Sequence, residues 1–175
     1  STSKIGDVDI TAKVYTNASF HEESNSLLGG LMSERSVDSL SETLLADSTT
    51  KAENNIIIGG KDINLVAVNF ESTKGGIKFA ATENVNIIPG LEARSEAHIR
   101  EESGLSLGYN SGRFTFAEET TDSTKSTSYT NKASTLKTNT LLIESGQDTN
   151  VIASNITAGN MRVDTSRDFN VLSDK

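Results

Sequence analysis

Cysteine and tryptophan are absent from this chain of 175 residues, proline occurs once, and 5% of residues are aromatic. The lack of cysteine excludes disulfide staples, a usage compatible with export from a bacterium. One proline against thirteen glycines suits strands that must hydrogen-bond along both edges. No apolar run approaches membrane-spanning length. A net charge of −8, with no Lys/Arg cluster, argues against binding nucleic-acid phosphates or an anionic membrane. Hydrophobic residues make up 34%, too few for a broad core but enough for a narrow one filled by Ile, Val, Leu and Ala. There is no initiator Met and no signal peptide, and both ends fall beside repeat phrases, so the chain reads as a fragment of a longer protein.

What is present is a two-residue rhythm. From Asn54 to Gly90, apolar residues alternate with polar ones at Ile63, Leu65 and Ala67, at Ile77, Phe79 and Ala81, and at Val85 and Ile87. That period describes half-buried strands. Gly59-Gly60, Gly75-Gly76 and Pro89-Gly90 interrupt them where corners call for a permissive backbone. The phrase Gly60-Lys61-Asp62-Ile63-Asn64-Leu65 recurs as Glu83-Asn84-Val85-Asn86-Ile87, Gly146-Gln147-Asp148-Thr149-Asn150-Val151, Arg167-Asp168-Phe169-Asn170-Val171 and Gly6-Asp7-Val8-Asp9-Ile10. A period of about twenty residues signals a solenoid. The expected fold is all-β: a right-handed parallel β-helix whose apolar side chains stack in columns. Ile63, Leu65, Val85, Ile87, Val151, Phe169 and Val171 are the expected core. Asn64, Asn86, Asn150 and Asn170 are expected to pair as amide ladders, Asn64 with Asn86 and Asn150 with Asn170.

Two stretches depart from this rhythm. Leu27, Leu28, Leu31, Met32, Val37, Leu40, Leu44 and Leu45 are spaced by threes and fours, which favours one or two short amphipathic helices. Asp47 to Lys51 reads as a polar connector. Later, Leu105 to Glu119 alternates around Asn110-Ser111-Gly112, a hairpin signal, and Thr120 to Thr140 is a polar run that is either loop or solvent-facing strand. Because Arg100-Glu101-Glu102-Ser103 echoes His21-Glu22-Glu23-Ser24, the two departures are read as copies sharing one form, with the hairpin preferred. The organisation expected is therefore a single β-helix over 1–175, with repeat units at about 7–83 and 84–171 and excursions at about 24–52 and 103–139. Excursions from a rigid scaffold commonly carry binding, and Tyr109, Arg113, Phe114 and Phe116 are the candidate contact residues.

The chemistry-bearing residues give no converged site. His21 and His98 are each locally alone, and a metal site needs several converging ligands. The pairs Glu22/Glu23 and Glu101/Glu102 resemble an acid–base couple in composition only, since neighbours on a strand point to opposite faces. Asp62 and Asp148 fit corner turns in which Asp bonds its own backbone. Gly59-Gly60-Lys61-Asp62 lacks phosphate-loop spacing. No catalytic residue, metal or cofactor is expected. The competing reading is a β-helical polysaccharide-degrading enzyme or tail-spike-like depolymerase.

The phrases GGKDINLVAVNFES, ENVNII, ESGQDTNVIASNITAGNMRV and RDFNVLS resemble the haemagglutinin repeats of filamentous haemagglutinin-like adhesins and contact-dependent growth-inhibition exoproteins. The His21-Glu22-Glu23-Ser24 and Arg100–Gly108 segments are similar to that family's more distal repeat class. The resemblance implies a secreted filament on the surface of a Gram-negative cell, exported through a two-partner outer-membrane transporter. It also implies a role in adhesion or in delivering a C-terminal toxin across a target cell's outer membrane. Neighbouring repeats of the same chain and a target-cell receptor are the partners it implies.

Overall fold

Alternation builds strands everywhere the sequence can be followed. The computed structural model describes residues 6–27, 32–104, 108–110, 113–115 and 118–173, and the regular elements among them are all β. In chain order they are β1 (Val8–Thr11), β2 (Val14–Leu27), β3 (Met32–Leu45), β4 (Ser48–Ala52), β5 (Ile56–Gly60) and β6 (Ile63–Val66). Next come β7 (Val68–Ser72), β8 (Gly76–Ala81), β9 (Val85–Ile88), β10 (Gly90–Gly104), β11 (Gly108–Asn110) and β12 (Arg113–Thr115). The last are β13 (Glu118–Lys132), β14 (Thr135–Ser145), β15 (Thr149–Ile152), β16 (Asn155–Thr165) and β17 (Phe169–Leu172). The chain divides into two compact units, one of Ser1–Tyr15, Leu45–Glu92 and Thr130–Lys175, the other of Thr16–Leu44 and Ala93–Tyr129.

The first unit is built from parallel pairs. One sheet runs β1-β6-β9-β15-β17, with Val8 opposite Ile63, Ile63 opposite Val85, Val85 opposite Thr149 and Thr149 opposite Phe169. In the other sheet β14 pairs its start with β7 and its end with β8, while β16 runs beside it along its length. β4 and β5 complete that sheet beyond β7 and β8. The period of two then decides what is buried. Ile63, Leu65, Val68, Phe79, Val85, Ile87, Leu136, Leu141 and Ile143 have no exposed surface, and Phe70, Ile77 and Val151 have almost none. Thr149 takes an apolar position in its column and is also fully buried. Its hydroxyl lies 2.9 Å from that of Ser145, which donates to Thr165 Oγ1 at 2.9 Å. A buried hydroxyl without a partner would cost roughly 1–3 kcal/mol, so this network lets threonine stand where valine would otherwise be required.

The corners correct one expectation. At the expected corners, Gly59, Gly60, Gly75, Gly76 and Gly90 do not take a left-handed backbone. That conformation falls instead on Ala67 (φ 53°) and Ala153 (φ 41°), where β6 turns into β7 and β15 into β16. The glycines supply space: a Cβ on Gly60 would meet Val8 Cγ2 at 2.9 Å, and one on Gly75 would meet the Asn54 carbonyl carbon at 2.5 Å. A left-handed alanine costs about 1–2 kcal/mol. We therefore expect Ala153→Gly to stabilise the protein by about 1 kcal/mol in urea unfolding. Ala67→Gly is expected to gain less, because the Ala67 methyl is buried with Ala12 and Leu45. A destabilised Ala153→Gly would show that this corner carries no strain.

In the second unit the sheet order is β13-β10-β3-β2. β10 and β3 are antiparallel, from Ala93 opposite Thr43 to Ser103 opposite Ser33. The helices that the local spacing between Leu27 and Leu45 favours, against the preferred hairpin form, do not form among the described residues: β2 ends at Leu27, and β3 covers Met32–Leu45. Threes and fours in a strand scatter apolar residues over both faces, and this segment became a strand because β10 offers it a long antiparallel partner. Asp47 to Lys51 is no connector either, since β4 starts at Ser48 and pairs with β7. β11 and β12 pair antiparallel, Tyr109 opposite Phe114 and Asn110 opposite Arg113. The polar run from Thr120 is strand, first β13 and then β14.

Candidate functional site

The parallel registers bring Asn64, Asn86, Asn150 and Asn170 into one column. Asn86 Nδ2 donates to Asn64 Oδ1 at 2.7 Å, Asn150 to Asn86 at 2.8 Å and Asn170 to Asn150 at 2.9 Å. The run is continuous and starts at Asp9, whose Oδ1 accepts from Asn64 Nδ2 at 2.7 Å. The sequence distances crossed are 55, 22, 64 and 20 residues. On either side of the column, Ile63 and Leu65, Val85 and Ile87, and Val151 are buried. Phe169 and Val171 stand opposite Thr149 and Val151 but are 44% and 65% exposed.

Two positions earlier in each phrase lies a second column that sequence reasoning assigned to isolated turns. Asp62 does not bond its own backbone; its Oδ1 accepts the N–H and Nδ2 of Asn84, both at 2.9 Å. Asn84 Oδ1 in turn accepts the Asp148 N–H at 3.1 Å. The Asp168 N–H continues the column by donating to Asp148 Oδ1 at 3.2 Å, and Arg167 makes two bonds to the same carboxylate, at 3.0 and 2.5 Å. The Asn84 amide thus separates two carboxylates, and Arg167 balances the second. Aligning the five phrases would have exposed the substitution, since Asn84 is the one amide in a column of aspartates.

These contacts hold several carboxyls below their ordinary range. For Asp62 the backbone N–H of Asn84 is the main cause, for Asp148 the Arg167 bonds, for Glu71 Lys51 and then Lys137, and for Asp47 Lys132. A group depressed in the fold stabilises it fully above its unfolded pKa and loses that contribution as pH falls through the lower, folded value. The melting temperature is therefore expected to fall below about pH 4, as the carboxyls protonate. Thermal melts from pH 7 to pH 2.5 check this, and a melting temperature that rises on acidification would contradict it.

Where the chain passes between units, Lys132 gathers the first unit's ends. Its Nζ donates to the Leu45 carbonyl at 2.7 Å and lies 2.7 Å from Asp47 Oδ1. Glu92 Oε1 accepts the Leu45 N–H at 3.0 Å and sits 3.9 Å from Lys132. One cation thus ties the residue where the chain re-enters the unit to one flanking its next departure.

The second unit presents polar side chains on both faces. Arg35 bridges Glu22 (2.7 Å) and Glu101 (3.1 Å), one member from each glutamate pair. On the other face His98 Nδ1 lies 2.5 Å from Asp38 Oδ1, and Arg100 joins Glu34 and Glu102. Exposed pairs of this kind contribute at most about 1 kcal/mol each, so they set register more than stability. His21, Asp38, Glu96 and His98 line an open hollow of about 340 Å³ with Leu40 and Ser19. His21 turns to Glu23 at 3.1 Å, and no group of three or more His, Asp or Glu among the described residues is placed to hold a metal ion. Of the candidate contact residues, Tyr109, Arg113 and Phe114 belong to the β11–β12 pair, and Phe116 lies outside the described residues.

Neither the curated proteins nor the solved structures contain a match to this chain. Residues 28–175 match the family model described as Hemagglutinin repeat, spanning both units and all the later repeat phrases. The chain belongs to the Hemagglutinin repeat family.

Proposed function

We propose that this chain is a structural and interaction segment of a secreted exoprotein at the Gram-negative cell surface. In this reading the first unit is a stretch of right-handed parallel β-helical rod. The second unit supplies contact surface, for adhesion to a target cell or for delivery of a C-terminal toxin. The observation that carries the reading is the use of the polar side chains. Asp9, Asn64, Asn86, Asn150 and Asn170 are spent on bonds from one strand to the next, and Asp62, Asn84, Asp148 and Arg167 on bonds from one corner to the next. Side chains committed to a stack in this way serve length and stiffness. Family membership supports the secreted, adhesin-like character. The partners proposed are a two-partner outer-membrane transporter for export and a receptor or outer membrane on the target cell.

The test is an in-frame deletion of residues 16–44 and 93–129 from the full-length exoprotein, with surface display, attachment and target-cell killing scored separately. Lost attachment with normal display supports an adhesive role, with Tyr109, Arg113, Phe114 and Phe116 the first residues to replace by alanine. Normal attachment with lost killing supports delivery. Survival of all three activities overturns the contact role of the second unit.

A further inference from the structure

β3 and β10 are inner strands of the second unit's sheet, each with a neighbour on either side. From Met32 to Leu44 and from Ala93 to Gly104 they nevertheless bury a single side chain, Val37. β14 and β9 are inner strands of the first unit, and they bury Leu136, Leu141, Ile143, Val85 and Ile87 completely. The second unit is therefore held by its backbone ladder and by exposed ion pairs such as Arg35 with Glu22 and Glu101. Few buried apolar contacts are the mark of a segment that opens locally, before the whole protein unfolds.

The first unit closes itself off where that sheet begins. β2, β3, β10 and β13 each carry residues of both units, and Tyr15, Leu45, Glu92 and Lys132 belong to their first-unit ends. Bonds tie these ends together in the order of the sheet. Lys132 Nζ lies 3.9 Å from Glu92 Oε1, that oxygen accepts the Leu45 N–H at 3.0 Å, and the Ala46 N–H donates to the Lys13 carbonyl at 2.7 Å. Lys132 also donates to the Leu45 carbonyl and meets Asp47 Oδ1, both at 2.7 Å. Leu45 is buried with Ala12 and Ala67, and a Cβ on Gly90 would run into its Cδ1.

We propose that Lys132, with Glu92 and Leu45, is a fray stop: the four-stranded sheet opens and recloses by local unfolding while the parallel stack stays closed. Lys132 is its central member, because it joins β13 to both β3 and β10. Without that ammonium, Glu92 has no other cation beside it among the described residues. The inference rests on these bonds and on the burial within each unit, and not on adhesion or delivery. Whatever the second unit meets, it can change shape without unstacking the first.

Amide hydrogen exchange of the full chain at neutral pH, read residue by residue, tests it. Amides of β3 from Val37 to Thr43 and of β10 from Ala93 to Ile99 are expected to be about a hundredfold less protected than Val85, whose N–H donates to Asp148 at 3.0 Å. Ala12 and Ala46, on the near side of the stop, are expected to stay within about tenfold of Val85. Lys132→Met is expected to speed exchange at Leu45 and Ala46 about tenfold and to leave Val85 unchanged. Lys137→Met removes another first-unit cation, 3.5 Å from Glu71, and is expected to leave Leu45 and Ala46 as in the parent. The proposal is overturned if β3 and β10 are as protected as Val85, since the chain then opens as one body. It is equally overturned if Lys132→Met leaves Leu45 and Ala46 unchanged, or if Lys137→Met exposes them as much. Should Lys132→Met not fold, Glu92→Gln keeps the shape and discharges the pair. It is expected to expose Leu45 and Ala46 in the same direction, and no change there overturns the stop.

Discussion

Gly146→Ala is expected to cost about 3 kcal/mol, close to the upper end for an overpacked position. A Cβ on Gly146 would fall well inside contact distance of the Thr82 carbonyl oxygen and 2.8 Å from its carbon. Neither backbone can give way cheaply. The Gly146 N–H donates to the Ala81 carbonyl at 3.1 Å, and the Thr82 N–H donates to Gly60 at 3.0 Å. Relief would require parting two strands that those bonds hold together. Gly59 is the internal control, because a Cβ there meets only the Ala80 carbonyl oxygen at 3.6 Å, and Gly59→Ala is expected within about 0.5 kcal/mol of the parent. Urea unfolding with an unchanged m-value measures both. Equal effects at the two positions would show that close approach at Gly146 is not what requires glycine.

The second large effect is Asn86→Asp, expected to cost about 3 kcal/mol at pH 7. Asn86 is central in its column, donating to Asn64 and accepting from Asn150. Aspartate keeps the acceptor, loses the donor, and sets a half-buried charge against Asn64 Oδ1. Protonation restores an O–H that can donate, so the charged form is the one disfavoured in the fold and the carboxyl's folded pKa is raised. The deficit is therefore full above that raised value and shrinks as pH falls through it. The parent protein moves the other way, losing stability on acidification as Asp62 and Asp148 protonate. Melting curves of both proteins at several pH values should converge toward low pH, and a gap that widens there would exclude the hydrogen-bond account.

How much of this was legible beforehand follows from the range of each interaction. Alternation at Ile63-Asn64-Leu65 and Val85-Asn86-Ile87 is a local property of the chain. It announced strands; of the expected core Ile63, Leu65, Val85, Ile87 and Val151 are buried, whereas Phe169 and Val171, on the last strand, are exposed. The recurrence of the phrase told which residues occupy equivalent positions. Other features depend on what packs alongside. The apolar spacing from Leu27 to Leu45 is compatible with a helix or a strand, and its partner β10, far along the chain, decided the matter. Ala67 and Ala153 carry the left-handed corners because the turn into the next strand leaves no other path, a constraint that composition does not record. The glycines whose presence read as flexibility are required instead for the room they leave to a neighbouring strand.

The sequence by itself determined the class of structure, the two faces of the strands at Ile63–Leu65 and Val85–Ile87 and the repeat to which the chain belongs, because those rest on periods of two and about twenty residues. Only the tertiary structure decided the registers that span 55 and 64 residues, the place of Asn84 between two carboxylates and the direction of the amide column. Each of these is a hydrogen bond between residues distant in sequence, and its partner is chosen by the fold.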